Sequence, residues 1–202
     1  AMRVWLSKIV PHGAGLGGGS ADAAAVLRSG IAQLANLGVV IEPDRVAAAA
    51  LGVGSDVPAL LSLTGQRVRG RGDRIEALTI PTLHLAIAST TPSSTSDTYA
   101  AVAPDEIRDD GRSAQLARLL SDGHAPAPEL LGSALEPAAC RTSPALADAL
   151  RRARRVVAGV DWYLTGSGGA VFTVASGRDE AERLAVTMRN AGFNARACRT
   201  VG

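Results

Sequence analysis

Between Pro11 and Leu27 the chain reads PHGAGLGGGSADAAAVL, and few folds can use such a stretch. Gly13, Gly15, Gly17, Gly18 and Gly19 precede Ser20, Asp22 and an alanine-rich apolar run. Glycine accepts positive φ without steric cost and lets backbone approach another group closely. Ser20 is a favoured N-cap, and Asp22 in a first turn suits the positive end of a helix dipole. Ala24, Leu27, Ile31 and Leu34 then recur at helical spacing, as one buried face would, to about Asn36, where Gly38 is a natural stop. The spacing predicts unpaired N–H groups opening onto a helix N-terminus. Pro11, Gly13, Ala14, Gly15, Leu16, Gly17, Gly18, Gly19, Ser20 and Ala21 are its candidate binding residues. Such an arrangement receives an anion, most commonly a phosphate.

Several glycine-rich patterns compete for this stretch. A Walker loop ends in Gly-Lys-Ser/Thr, and Gly19-Ser20-Ala21 supplies no lysine. A dinucleotide fingerprint can be laid on Gly13, Gly15 and Gly18, with Val39-Val40-Ile41-Glu42 as second strand and acid, but Pro11 and His12 interrupt the first strand's entry. A plain linker rarely keeps a proline, a leucine and a cap in place. The remaining pattern is Pro-x-x-x-Gly-Leu-Gly-Gly-Gly-Ser-x-Asp-Ala-Ala. It resembles the phosphate-binding motif of the GHMP kinase superfamily of small-metabolite kinases, and most of all its diphosphocytidyl-methylerythritol kinase branch.

Composition narrows the class. The length of 202 residues allows one large domain or two small ones. With 21 basic and 19 acidic residues, nothing calls for nucleic acid or an anionic membrane. Arg151, Arg152, Arg154 and Arg155 read as a solvated helix face. Cys140 and Cys198 lie far apart, without Cys-x-x-Cys or a histidine pair, which fits a reduced cytoplasmic protein and argues against a zinc site. No apolar run approaches a membrane span, and no signal peptide precedes the first strand.

Residues 3–10 alternate and predict a strand leading into the glycine loop. Pro43 opens a second helix through Ala50, and Leu51–Leu61 reads as a glycine-rich turn that sets Asp56 in apolar surroundings. Two short strands are expected around Gly70-Arg71-Gly72-Asp73, and another over Leu83, Leu85 and Ile87. Ser89–Tyr99 reads as a polar surface loop. Residues 104–130 hold a helix near 112–120 between loose segments where mobility is expected. A mainly helical stretch over 136–157 turns Leu146, Leu150 and Ala153 inward. Strands at 160–164 and 170–174 flank a second glycine loop, followed by a helix over 178–191 and a strand over 194–200. Trp5 and Trp162 read as packing residues, His12 as an exposed loop residue, and Lys8 as a strand-edge charge. The pattern is α+β, with a domain boundary near 80–90, hence domains 1–82 and 83–202.

Further motifs follow in the superfamily's order. Leu51-Gly52-Val53-Gly54-Ser55-Asp56-Val57-Pro58 resembles its Leu-Gly-x-Asp-Val-Pro with two extra residues, which implies that Asp56 is the general base. An oriented carboxylate can take a proton from an attacking hydroxyl. Gly70-Arg71-Gly72-Asp73 is similar to a Gly-x-Gly-Glu segment, and Thr165–Gly169 to the third motif, which closes near the phosphates. The resemblance implies substrate-side roles for Thr95, Tyr99, Gly166, Ser167 and Gly168, and a Mg²⁺-holding role for Ser20. It implies a truncated N-terminal domain of ribosomal-protein-S5-domain-2-like type and a C-terminal ferredoxin-like α/β sandwich. The implied reaction is ATP- and Mg²⁺-dependent phosphorylation of the 2-hydroxyl of 4-diphosphocytidyl-2-C-methyl-D-erythritol in the non-mevalonate isoprenoid pathway. Two departures stand out. Ser133-Ala134-Leu135-Glu136 lacks the usual polar pair, and the roughly eighty residues preceding the motif in the family have no match. Another GHMP kinase, an impaired ATP-binding fragment and, more distantly, a dinucleotide-dependent oxidoreductase are the alternatives. The chain is expected to associate with itself or with the missing N-terminal segment.

Overall fold

A computed structural model of the chain describes residues 3–106 and 110–201. The backbone divides into two compact units, each described by itself. One takes the residues up to Ile9 together with Gly17–Leu78, and the other takes Val10–Leu16 together with the chain from Thr79 onward. The chain therefore passes from one unit to the other after Ile9, after Leu16 and after Leu78.

In the first unit, α1 (Gly18–Asn36) starts directly after Gly17, whose φ of 65° turns the chain into the helix. Ser20 is consequently the third helical residue, not the cap, and Asp22 falls beyond the first turn and pairs with Lys8. The helix ends as its glycine predicts: Gly38, at φ 76°, donates to the Ala35 carbonyl and Val39 to that of Leu34. Its apolar face is narrower than the periodicity suggests, for Ala24 is buried, Leu27 and Ile31 are half-buried and Leu34 is exposed. Helix α2 (Pro43–Val53) runs three residues past Ala50, and α3 (Val57–Leu60) follows at once. Ala24, Ala50 and Val57 form the buried centre, with Leu27, Leu60 and Leu61 against it. Strands β1 (Gly65–Arg69) and β2 (Arg74–Leu78) form the expected antiparallel hairpin.

Residues 3–10 differ from expectation: they form no strand, and Val4, Trp5, Leu6, Ile9 and Val10 are exposed. Alternation fixes which side chains share a face, but a strand exists only when its N–H and C=O groups find an edge to pair with. Trp5 is accordingly no core residue, lying 79% exposed beneath the Arg3 guanidinium.

In the second unit, β3 (His84–Ser89) is followed by α4 (Thr95–Ala100), α5 (Arg112–Ser121), α6 (Glu136–Thr142) and α7 (Pro144–Val156). Strands β4 (Tyr163–Leu164) and β5 (Ala170–Ala175), helix α8 (Arg178–Asn190) and strand β6 (Asn194–Arg199) complete it. The sheet order β4-β5-β3-β6, antiparallel throughout, gives the β-α-β-β-α-β ferredoxin-like arrangement. One face carries the core. Ala86 and Ala88 of β3, Val171 of β5 and Ala195 of β6 lie buried with Leu146, Leu150 and Ala153 of α7 and Leu184, Ala185 and Met188 of α8. Trp162 is buried among them, as expected. Leu85 and Ile87 point the other way and are half-buried.

Two further differences appear. The hydroxyl-rich stretch is not all loop, since Ser94 caps α4 by accepting from the Asp97 N–H. Residues 107–109, within a segment expected to be mobile, lie outside the described residues. Among the described residues both sheets are antiparallel, and 39–42 forms no strand, so a dinucleotide fold has neither its parallel pairing nor its second strand.

Candidate functional site

Within the second unit, two glycine-rich segments pack main chain against main chain. Gly13 and Gly15 have φ of 71° and 64°, and Gly166, Gly168 and Gly169 have φ of 44°, 117° and 99°. A β-carbon on Gly15 would stand 2.5 Å from the carbonyl oxygens of Thr165 and Gly168, and one on Gly169 would overlap the Gly13 carbonyl. Only glycine permits this approach at either place. Hydrogen bonds then fasten the segments. Thr165 Oγ1 donates to the Ala14 carbonyl at 2.8 Å, the Thr90 N–H to the Gly169 carbonyl at 2.9 Å, and the Ser93 N–H to the Gly13 carbonyl at 3.5 Å. Ala14 is buried, Gly13 and Leu16 are half-buried, and Pro11, His12 and Gly15 are exposed.

A lattice of hydroxyls surrounds the second segment. Thr95 Oγ1 lies 2.9 Å from Ser167 Oγ, and Thr98, fully buried, lies 3.2 Å from Ser93 Oγ and donates to the Ser167 carbonyl at 3.5 Å. Ser133 donates to the Gly166 carbonyl at 2.5 Å, so the position where the expected polar pair is absent still supports this loop. Nearby, Glu136 forms two hydrogen bonds with Arg154, whose Nε donates to the Trp162 carbonyl. The structure thus joins Gly15 to Gly166 and Gly168, Gly13 and Ala14 to Gly169, and Thr95 to Ser167, while Tyr99 stays 59% exposed. Thr98, Ser133 and Thr165 were not singled out as site residues. Only Thr98 stands in a run of hydroxyls, and such runs ordinarily mark solvated loops.

In the first unit, Gly17 and Gly18 are half-buried, Gly19 and Ala21 are exposed, and Ser20 is half-buried in the first turn of α1. Gly19 is helical, and a β-carbon there would meet nothing within 4 Å. Asp56 departs from expectation: it is exposed, on the turn that opens α3. Val57 takes the buried place in that turn, which leaves the preceding side chain facing solvent. The Asp56 side chain makes no capping hydrogen bond. Its turn is backed by the β1–β2 hairpin, where Gly72, buried and at φ 93°, lies against the Ser55 carbonyl. Asp73 secures the hairpin turn by accepting from the Arg71 N–H at 2.7 Å, and that bond holds its carboxyl below the usual range.

Among the described residues no cluster of His, Cys, Asp or Glu is placed to hold a metal ion. Cys140 and Cys198 are free thiols pushed up in pKa chiefly by burial, so neither is set up as a nucleophile. No described helix is long and apolar enough to cross a membrane.

Comparison with known proteins agrees with this arrangement. The family model for the GHMP kinases N terminal domain matches residues 1–62, and that for the GHMP kinases C terminal matches residues 105–194. The 4-diphosphocytidyl-2-C-methyl-D-erythritol kinase of Thermus thermophilus is 34% identical over 192 residues, covering 93% of this chain and 65% of that protein. Its namesake from Moorella thermoacetica is 36% identical over 199 residues, covering 91% and 65%. The chain thus spans 65% of the length of these curated relatives. A crystal structure of 4-(cytidine 5'-diphospho)-2C-methyl-D-erythritol kinase superposes with a TM-score of 0.76 at 33% identity, over 96% of this chain and 69% of that one. Homoserine kinase from Cytophaga hutchinsonii, at 17% identity and a TM-score of 0.62 over 96% and 68%, shares the fold. With its glycine segments in the family's order and both family regions matched, the chain belongs to the GHMP kinases.

Proposed function

We propose that the protein carrying this chain is an ATP-dependent kinase that phosphorylates the 2-hydroxyl of 4-diphosphocytidyl-2-C-methyl-D-erythritol. The observation that carries this reading is Gly19. A glycine inside an exposed helical turn costs about 0.5–1 kcal/mol relative to alanine. No described residue occupies the space its β-carbon would fill, so packing among the described residues does not require glycine there. Close approach of a phosphate to the first turn of α1 does require it.

In this reading the ATP phosphates lie along Gly15–Ser20, and Asp56, exposed and uncommitted to capping, accepts the proton of the attacking hydroxyl. The hairpin beneath Ser55 supports the turn that carries this carboxylate. Mg²⁺ would supply charge neutralisation to the ATP phosphates, with one or two protein oxygens holding it beside phosphate and water. The Ser20 hydroxyl is a hard donor of that kind. The family resemblance assigns substrate-side roles to Thr95 and the 166–168 loop. The remaining work is positioning, because phosphoryl transfer asks little covalent chemistry of the protein.

The second reading, an ATP-binding but catalytically impaired piece, is favoured by the exposed apolar side chains near the start of the first unit. Exposed Val4, Trp5, Leu6 and Ile9 would then await a further segment or a second copy. The test supplies Mg-ATP with this alcohol, homoserine or mevalonate to the full-length protein and to the 202-residue chain, and measures ADP release. Turnover of the cytidine substrate by the full-length protein supports the proposal. Turnover of another alcohol alone, or none, overturns it. Alongside, Gly19→Ala should stabilise the free protein and weaken ATP binding. Unchanged affinity would remove the phosphates from this turn.

A further inference from the structure

We propose that Thr165 is a positioning residue whose hydroxyl fixes the peptide between Ala14 and Gly15, and so keeps the Gly15 N–H turned outward from the 165–169 loop, available to a phosphate. The inference deepens the kinase reading and rests on it for the identity of the ligand.

Thr165 is 8% exposed, and its Oγ1 lies 2.8 Å from the Ala14 carbonyl and 3.0 Å from that of Ala170. A peptide unit is planar and trans, so its C=O and N–H point to opposite sides. Drawing the Ala14 carbonyl toward Thr165 therefore sends the Gly15 N–H away from the 165–169 loop. The preceding carbonyl, that of Gly13, is held by the Ser93 N–H. Glycines flank Ala14 on both sides, and Gly15 tolerates either sign of φ, so little else opposes a flip of the 14–15 peptide. A flip would reverse the N–H.

Thr165 is itself held in place. Its N–H donates to the Ala170 carbonyl at 3.0 Å, and its carbonyl accepts from the Gly168 N–H at 2.8 Å. Ser133 and Thr98 hold the next two carbonyls, those of Gly166 and Ser167. Gly15 presses on the same loop, where its β-carbon would stand 2.9 Å from Thr165 Oγ1. The hydroxyl is thus fixed before any ligand arrives, and valine of nearly the same shape would leave the buried Ala14 carbonyl without this donor.

The test compares Thr165→Val and Thr165→Ser in the full-length protein, reading the Gly15 amide resonance and the ATP dissociation constant. Thr165→Val should move the resonance and weaken ATP at least about tenfold, while Thr165→Ser stays within about threefold of the parent with the resonance restored. Should Thr165→Val fail to fold, Thr165→Ala carries the same readouts. If the parent binds no ATP, the kinase reading falls, and the Gly15 resonance alone decides whether the hydroxyl positions this peptide. Wild-type affinity with an unmoved resonance in Thr165→Val overturns the inference. So does equal weakening in Thr165→Val and Thr165→Ser, which would assign the effect to packing.

Discussion

The carbonyl oxygen of Ser55 lies against the α-carbon of Gly72, leaving no room there for a side chain. The hairpin turn is thereby a buttress for the turn that presents Asp56. Replacing Gly72 by alanine must combine a strained left-handed residue, at φ 93°, with an overlap against main chain. Gly72→Ala should cost about 2–4 kcal/mol in chemical denaturation. Gly52 provides the contrast, since it is exposed in α2 and its β-carbon would meet nothing. Gly52→Ala should add about 0.5–1 kcal/mol. Equal effects at the two sites would contradict the packing described.

Asp56→Asn keeps the size of the side chain and removes its ability to take a proton. In the full-length protein kcat should fall by about 10²-fold or more, with the ATP dissociation constant little changed. Steady-state kinetics with calorimetry reads both, and an unimpaired kcat would take Asp56 out of the reaction.

Gly169→Ala sets a β-carbon into the Gly13 carbonyl, at a residue with φ of 99°. Unlike Gly19→Ala, it should both destabilise the protein, by about 2 kcal/mol or more, and weaken ATP. Thermal unfolding and ligand titration on the two variants separate a glycine needed by the fold from one needed by the ligand.

The Arg141 guanidinium donates to both carboxylate oxygens of Glu106, and with the Ala103 N–H it lowers that carboxyl from 4.5 to about 2. A depressed folded-state pKa means that stability is present above pH 4.5 and is lost as pH falls toward about 2. Arg141→Gln removes the larger cause, so its stability should fall less steeply than the parent's across that window. Denaturation midpoints taken through the acid range check the slope, and parallel curves would deny the pair its role.

How legible all this was in the sequence varies with the range of the interaction. The α1 stop at Gly38, the turn at Gly70–Asp73 and the alternating strands of the ferredoxin-like half are local, each set by a glycine or a period. Residues 3–10 have the period of a strand but no edge to pair with, and pairing is not a local property. Ser20 looked like a cap because serine favours that place, yet Gly17 starts the helix earlier by taking a left-handed φ that the letters alone do not disclose. Asp56 is expected among apolar neighbours and is exposed, because Val57, the first residue of α3, takes the inward side of the turn. Thr165, Thr98 and Ser133 act through carbonyls far away in the chain, and sequence spacing carries no trace of such contacts.

The passage of the chain between its two units bears on how the protein can be taken apart. A cut after Leu78 looks like a clean division, yet a piece beginning at Thr79 would lack Val10–Leu16, leaving Gly169 and the Thr165 hydroxyl facing a gap where Gly13 and Ala14 belong. A chimera of two relatives joined at that point would seat one parent's glycine loop on the other's. The interlocking glycines therefore tie the beginning and the end of this chain into one unit of inheritance, in which either loop can change only as far as its partner allows.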